Sequence, residues 1–315
     1  MAKKKARRRP KRQAPPPAPR RSIGRRALWL ILALAASGAL AVAAIVGFTS
    51  GDGDGETASS LTPDDPGPVH VHGLGINPAD GALFIATHTG LWRVPPGANR
   101  ASRVTDRTQD TMGFTVAGPD VFLGSGHPDV RENLPPLLGL IESRDGGRSW
   151  RPVSLLGEAD FHVLRSDGNR VYGFDSSNAR LMLSADRGRT WTEREPPGAL
   201  LDLVVDPSRP HDFLASGERG LLASEDEGRT WRQLGESVGL LAWPSTRRLY
   251  LVDEAGAVGL SRDQGRTWIN VGSVGGQPAA LMASSDTELF VALHDGTIMR
   301  STDGGKSWSV RSTAA

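Results

Sequence analysis

The sequence has no cysteine among its 315 residues. This absence excludes a disulfide framework, a thiolate zinc site, an iron–sulfur cluster and a cysteine nucleophile. It also removes the lipid-bearing cysteine that a bacterial lipoprotein requires. Aromatic residues make up only 6% of the chain, whereas glycine occurs 38 times and proline 22 times. This composition predicts a domain with many tight turns.

Acidic residues are absent from residues 1–26, which hold 12 of the 37 basic side chains. The rest of the chain therefore has 25 basic and 35 acidic residues, a net charge of −10, although the formal charge of the whole chain is +2. The basic character of the chain is thus confined to its start, and we expect no nucleic acid as a partner. Residues 1–26 are also rich in proline, so we predict a disordered tail.

Residues 27–48 contain no charged side chain. At a helical rise of about 1.5 Å per residue this segment is long enough to cross a membrane. The basic tail before it predicts a single-pass protein of the cell membrane, with its N-terminus in the cytoplasm and its body outside. A cleaved signal peptide, with Ala41-Val42-Ala43 as the cleavage site, is the alternative. Residues 49–68 are typical of a flexible linker.

An eight-residue pattern, S-x-D-x-G-x-[S/T]-W, occurs five times between residues 143 and 308, and successive tryptophans are 41, 40, 37 and 40 residues apart. The pattern predicts a hairpin turn. In such a turn the aspartate accepts hydrogen bonds from backbone N–H groups, the glycine has a positive φ and the tryptophan packs into the sheet. The aspartate and tryptophan of each octet are, in order, Asp145 and Trp150, Asp186 and Trp191, Asp226 and Trp231, Asp263 and Trp268, and Asp303 and Trp308.

These octets resemble the Asp-box, or BNR, repeat of sialidase-like β-propellers, a family with exported bacterial members described as glycosyl hydrolase-like or exo-sialidase-like. The resemblance implies that the octets are structural and lie on the face away from the ligand site. Each period divides into four strand-like runs, and a first unit has lost its octet. Six units of about 40 residues predict an all-β, six-bladed β-propeller over residues 69–315, preceded by one transmembrane helix.

Six of the seven histidines map to one face of this propeller. Because neighbouring strands of a blade run in opposite directions, first strands begin and second strands end at the same face. Converging imidazoles suit copper or zinc, and Asp110, Met112 and Asp160 map to the same face. Only His211 maps to the opposite face. The six candidates for binding a ligand or a metal ion are His70, His72, His88, His127, His162 and His294.

Two further relations concern these histidines. The segments LFIATHTG and LFVALHDG align residue for residue, so His88 and His294 are expected at equivalent positions of blades 1 and 6. His70 and His72 are two residues apart on an expected strand, where side-chain alternation would point both to one side.

The sequence lacks the catalytic residues that the sialidase resemblance implies. The first strand has no arginine, Arg93 falls in a third strand, and Tyr172 and Tyr250 lie inside second strands. A glycosidase needs only a pair of carboxylates, and this possibility stays open. Its candidates, all in loops between second and third strands, are Asp175, Glu218, Asp253 and Glu254.

The sequence therefore leaves three alternative functions open. The favoured one is a membrane-tethered propeller that binds a ligand or a partner protein through the face that carries the six histidines, with or without a metal ion. The second is a glycoside hydrolase. The third is a scaffold that helps to assemble other envelope proteins.

Overall fold

The computed structural model describes residues 67–313. The predicted tail, transmembrane helix and nearly all of the linker lie outside the described residues. Residues 67–313 contain strands and turns, and none of their segments is a helix able to cross a membrane. Gly67 and Pro68, the last two residues of the predicted linker, are buried.

Six four-stranded antiparallel sheets follow one another along the chain, each made of four consecutive strands. The first three blades contain β1 (Val71–Ile76), β2 (Leu83–Thr87), β3 (Gly90–Val94) and β4 (Ser102–Arg103); β5 (Asp110–Gly118), β6 (Val121–His127), β7 (Leu140–Ser143) and β8 (Arg151–Ser154); and β9 (Phe161–Asp167), β10 (Arg170–Asp175), β11 (Arg180–Ser184) and β12 (Thr192–Arg194).

The remaining three blades repeat this arrangement. They contain β13 (Leu200–Asp206), β14 (Arg209–Gly217), β15 (Gly220–Ser224) and β16 (Arg232–Gly235); β17 (Leu240–Ser245), β18 (Arg248–Val252), β19 (Ala257–Ser261) and β20 (Ile269–Ser273); and β21 (Pro278–Ala283), β22 (Leu289–Leu293), β23 (Ile298–Ser301) and β24 (Ser309–Ser312). The predicted all-β propeller with six blades is confirmed.

The apolar core lies between the blades. Each pair of adjacent blades shares one cluster of buried side chains, and a sixth cluster joins blade 6 to blade 1. In that last cluster Ile85 and Trp92 of blade 1 pack with Phe290 of blade 6. The first strand of each blade packs beside the first strand of the next, and β21 packs beside β1. The blades therefore form a closed ring, and the ring closes without exchange of a strand.

The five octets form the predicted hairpin turns. In the fourth blade, Asp226 Oδ1 accepts hydrogen bonds from Ser224 Oγ (2.9 Å) and Thr230 N (2.8 Å), and Asp226 Oδ2 accepts one from Thr230 Oγ (2.7 Å). Ser224 Oγ in turn accepts a bond from Gly228 N (2.8 Å). The corresponding bonds recur in the other four octets.

The octet glycine joins each blade to the blade before it. At Gly188 (φ 78°) an added Cβ would lie 2.0 Å from Cδ2 of Leu140, which belongs to the preceding blade and is fully buried. The equivalent glycines meet a third-strand side chain of the preceding blade in the same way, at Leu91, Leu181, Leu221 and Val258. The octets therefore act as structural contacts between blades.

This contact predicts that Gly188→Ala destabilises the propeller. Overpacking against buried Leu140 adds about 1–3 kcal/mol to the cost of a positive φ at alanine. The matched control is Gly168→Ala, because Gly168 also has a positive φ (58°) but has open space around it. Urea unfolding should show a lower free energy of unfolding for Gly188→Ala than for Gly168→Ala. Equal values would contradict the blade contact.

The octets also predict loss of stability in acid. Hydrogen bonds from Thr230 lower the pKa of Asp226 from its ordinary value of 3.8 to about 2, and Thr267 does the same for the pKa of Asp263. Because the folded pKa is the lower one, this contribution is fully present above pH 3.8 and is lost as the pH falls towards 2.

The free energy of unfolding in urea, measured between pH 3.8 and pH 2, should therefore fall less steeply with decreasing pH for Asp226→Asn than for the parent protein. The exposed neighbour Glu225 provides the control Glu225→Gln, which should decline like the parent. If the free energy of unfolding fell equally with pH for Asp226→Asn and the parent, the hydrogen bonds of Asp226 would not contribute to stability as predicted.

Candidate functional site

The six predicted histidines lie where first strands begin and second strands end. His72 is in β1, His162 is the second residue of β9, and His127 ends β6. His88 and His294 each follow directly after five-residue strands, β2 and β22, as the alignment of their segments predicts. The seventh, His211, lies in β14, with Nδ1 2.8 Å from Glu227 Oε1 of the fourth-blade octet. The face opposite the octets is called the mouth below.

His72, His88 and Asp110 form the centre of the mouth. Each offers one ligand atom, and the three atoms all lie within 4.8 Å of one another. His88 Nδ1 is 2.8 Å from Asp110 Oδ2, and His72 Nε2 is 4.0 Å from Asp110 Oδ1. The two imidazole rings meet edge to face, with centroids 4.3 Å apart. Three segments from two blades thus supply two nitrogen ligands and one oxygen ligand.

Close packing of the first strands brings these segments together. At Gly113 in β5, an added Cβ would lie 2.3 Å from the carbonyl oxygen of Phe161 in β9. At Gly73 in β1, an added Cβ would lie 2.9 Å from the Cβ of Phe114 in β5. These glycines follow Met112 and His72 directly, so the strands approach closely beside the site. Any larger residue at either position would separate the strands that carry the ligands.

His70 reaches the site by a different route from the one predicted. It precedes β1 and has a left-handed backbone (φ 53°), and the pairing of β1 with β2 shifts register between Val71 and Gly73. Strand alternation therefore does not align His70 with His72, and that prediction was wrong because a bend and a bulge interrupt the strand. The bend nevertheless turns the His70 ring towards His88, with centroids 5.4 Å apart.

The electrostatics of the mouth favour neutral imidazoles at His70 and His72. Burial lowers the pKa of His72 well below its usual value, and the nearby rings of His88, His162, His70 and His294 lower it further. Burial also lowers the pKa of His70, helped by His88 and His294 and opposed by Asp110. A neutral imidazole keeps a lone pair on one nitrogen, which is the form that binds a metal ion.

A second carboxylate lies between two further histidines of the mouth, His127 and His162. Asp160 Oδ2 is 2.8 Å from His162 Nε2 and 3.7 Å from His127 Nε2. The backbone N–H of Asp160 donates to Asp175 Oδ1 at 3.1 Å. Met112, also assigned to this face by the sequence, is buried in β5.

The four candidate carboxylates of a glycosidase have varied surroundings. Asp175 is fully buried, and its Oδ2 accepts hydrogen bonds from Arg180 (2.7 Å) and Asn178 (2.9 Å). Asp253 Oδ1 accepts bonds from two backbone N–H groups of its own turn. Glu218 and Glu254 are exposed. The first two of these carboxylates thus already serve the structure around them.

The residues considered for a sialidase point away from the mouth. The hydroxyl of Tyr172 donates to the carbonyl of Pro210, and the hydroxyl of Tyr250 donates to the carbonyl of Asp286. Both carbonyls lie on the face of the propeller that carries the octets. Arg93 pairs with Asp80 at 2.7 Å, in the connection between β1 and β2. The tyrosine and arginine of a sialidase site are therefore not found here.

Sequence reasoning missed two contacts that shape the mouth. The carbonyl oxygen of Pro136, in the long connection between β6 and β7, lies 2.8 Å from His127 Nδ1. Asp175 was read only as a candidate acid, whereas it holds the backbone of Asp160. The Pro135-Pro136 pair in an unusually long connection was the available signal for the first of these.

The family comparison agrees with this fold. The family model of the BNR/Asp-box repeat matches residues 299–310, which include part of the sixth-blade octet. Five such octets occur in the six blades, so the chain is a β-propeller with BNR/Asp-box repeats. A curated relative, the dispase autolysis-inducing protein of Streptomyces mobaraensis, is 27% identical over 164 residues. The match covers 50% of this chain and 38% of that protein, so the chain spans well under half of its relative.

Solved structures with the same fold come from proteins of different kinds. The GH74 xyloglucanase of Xanthomonas campestris has a TM-score of 0.53 at 20% identity, over 78% of this chain and 46% of that one. The GH74 enzyme of Niastella koreensis has a TM-score of 0.55 at 16% identity, and the match covers 78% of this chain and 45% of that one. YCF48 bound to D1 peptide has a TM-score of 0.51 at 15% identity, and the match covers 78% of this chain and 83% of that one. At these identities the similarity concerns the fold alone.

The left-handed bend at His70 leads to a prediction about stability. His70→Gly and His70→Ala both remove the ring, but only alanine is strained at φ 53°. After allowance for the greater unfolded-state entropy of glycine, His70→Gly should be the more stable by about 0.5–1 kcal/mol in urea unfolding.

The same pair of substitutions at His211, inside strand β14, should give the opposite order, because glycine weakens a strand. If alanine were the more stable residue at position 70 as well, the bend would be absent in solution.

Proposed function

We propose that this BNR/Asp-box propeller binds a divalent transition metal ion at His72, His88 and Asp110, and that the metal site is where it binds its ligand or partner. The observation that carries the proposal is a set of buried polar atoms without a hydrogen-bond partner: His72 Nε2, His88 Nε2 and Asp110 Oδ1. Each such atom costs about 1–3 kcal/mol when it is left unsatisfied. Their convergence in one small cluster is what a bound cation would explain.

The donor set favours zinc or copper. Two imidazoles and one carboxylate suit borderline transition ions better than calcium or magnesium, which prefer oxygen ligands. Three protein ligands also leave a coordination position open, as in zinc sites that bind an external molecule.

We further propose that this protein is tethered to the membrane and that its site faces the outside of the cell. The uncharged segment 27–48 and the basic tail before it support this placement. A protein partner in the envelope is the form of ligand that we favour. The likeness in fold to YCF48 bound to a peptide is consistent with this choice, although it is a likeness in fold alone.

A glycoside hydrolase is the second candidate, supported by the fold shared with two GH74 enzymes. Its support at the level of residues is smaller. Asp175 is enclosed by Arg180 and Asn178, and Asp253 caps its own turn. Turnover of xyloglucan or of any other glycoside by the purified chain, lost in Glu218→Gln or Glu254→Gln, would favour the hydrolase over the binding protein.

The proposal predicts that His88→Gln and Asp110→Asn each weaken metal binding by the cluster of His72, His88 and Asp110. The full chain, prepared in detergent without a histidine tag, would be dialysed against zinc or copper, and the bound ion quantified by mass spectrometry. Each substitution should weaken the affinity of this centre by at least 10–100-fold, because one of three ligands is removed or neutralised.

The matched control is His211→Gln, which removes an exposed imidazole from the opposite face. It should retain the metal content of the parent protein. Unchanged metal content in both His88→Gln and Asp110→Asn would eliminate the proposed site.

A further inference from the structure

We infer that the face of the propeller that carries the octets binds a small organic carboxylate, in a cavity between blade 6 and blade 1 that Arg311 lines. The cavity has a volume of about 210 Å³. It shares no residue with the cluster of His72, His88 and Asp110, so the inference does not depend on the proposed metal site. The lining residues that carry the argument are Ile76, Pro96, Glu288, Phe290, Arg300 and Arg311.

The cavity lies where the regular contact between blades is interrupted. At the other five junctions an octet glycine presses against the third strand of the preceding blade. Blade 1 has no octet, and its strand β4 has only two residues. Its connection between β3 and β4 lines the cavity with Pro96, together with Phe290 in β22 and Arg300 in β23. Because Pro96 is exposed, a small molecule can enter this cavity from solvent.

Arg300 and Glu288 form an ion pair at one side of the cavity. Glu288 Oε1 accepts hydrogen bonds from the Nε–H of Arg300, at 2.7 Å, and from its NH2 group. Glu288 Oε2 accepts a hydrogen bond from Ser284 Oγ at 2.5 Å. The guanidinium of Arg300 also lies over the ring of Phe290, 5.8 Å from its centroid. This pair therefore contributes no net charge to the cavity.

Arg311 supplies a positive charge that has no counter-ion. Its guanidinium donates to the carbonyl oxygen of Pro95, at 2.9 Å, and to that of Ala98. Among residues 67–313 no carboxylate pairs with Arg311, and burial and the neighbouring Arg300 lower its pKa. A guanidinium has more N–H groups than these two bonds use. An anion in the cavity would both balance the charge and accept hydrogen bonds from the remaining groups.

The lining of the cavity indicates which kind of anion fits. Phe290 is buried and Ile76 is half-buried, so the cavity has apolar walls as well as a cationic group. Such a combination is typical of sites for small organic molecules. Arginine binds carboxylates through strong, charge-assisted hydrogen bonds. One uncompensated positive charge matches a monoanion, so we expect a carboxylate that carries a compact apolar group.

The experiment measures binding of benzoate to the full chain in detergent by ligand-observed nuclear magnetic resonance. The parent should bind benzoate saturably. Arg311→Gln should weaken this binding by at least about 10-fold, because it removes the charge and its hydrogen bonds to the ligand. Glu288→Gln should strengthen the binding by about 2–5-fold, because it releases Arg300 from its ion pair.

The control variant is Arg189→Gln. Arg189 is an exposed octet residue whose guanidinium also donates to a backbone carbonyl, that of Asp186, and it does not line the cavity. Arg189→Gln should therefore bind benzoate like the parent. Benzyl alcohol, which is uncharged and similar in size to benzoate, should not bind to the parent.

Three results would each overturn the inference: no saturable binding of benzoate by the folded parent, equal binding by the parent and Arg311→Gln, or equal binding of benzyl alcohol and benzoate. Near-ultraviolet circular dichroism checks that each variant is folded. If Arg311→Gln fails to fold because blade 1 loses two hydrogen bonds, Glu288→Gln decides the question. Tighter binding of benzoate by Glu288→Gln supports the site, and unchanged or weaker binding contradicts it.

Discussion

The contact between each octet glycine and the blade before it is the constraint on which the rest of the structure depends. A glycine with positive φ allows the turn to press against a buried side chain of the preceding third strand, as Gly188 does against Leu140. The aspartate and serine of the same octet satisfy the backbone groups of the turn. This contact recurs at five of the six junctions between blades, where it adds to the apolar cluster that the two blades share. The octets therefore help to hold together the blades that carry the mouth on their opposite face.

The mouth is organised by buried polar groups that the protein itself leaves unsatisfied. Asp110 and Asp160 each have one buried oxygen without a partner, and His72 and His88 each have one such nitrogen. β5, which begins at Asp110, packs closely at Gly113 against β9, which directly follows Asp160. Buried polar groups without a partner cost stability in the free protein. A cation would satisfy oxygen and nitrogen lone pairs together, and among residues 67–313 these four atoms have no hydrogen-bond donor.

Much of the fold could be predicted from the sequence because its repeat is strict. The spacing of the octet tryptophans determines the number of blades, and alternating strand direction then places the histidines on one face. Strand alternation failed at His70, since a bend and a bulge are local departures that depend on tertiary contacts. The repeat did not predict that Asp175 holds Asp160 or that the Pro136 carbonyl contacts His127, because both contacts depend on the exact path of a connecting segment. The Pro135-Pro136 pair indicated only an unusually long connection. The candidate ligands were thus identified by topology, whereas their grouping around two carboxylates required the structure.

The central claim is that a metal ion lies between His72, His88 and Asp110. Its most direct test is anomalous diffraction at the zinc absorption edge from crystals of the protein grown with zinc. The account predicts an anomalous peak within coordination distance of one atom from each of the three side chains, at about 2.0–2.2 Å. A well-ordered mouth without an anomalous peak at this position, with water molecules bonded to the three groups instead, would contradict it.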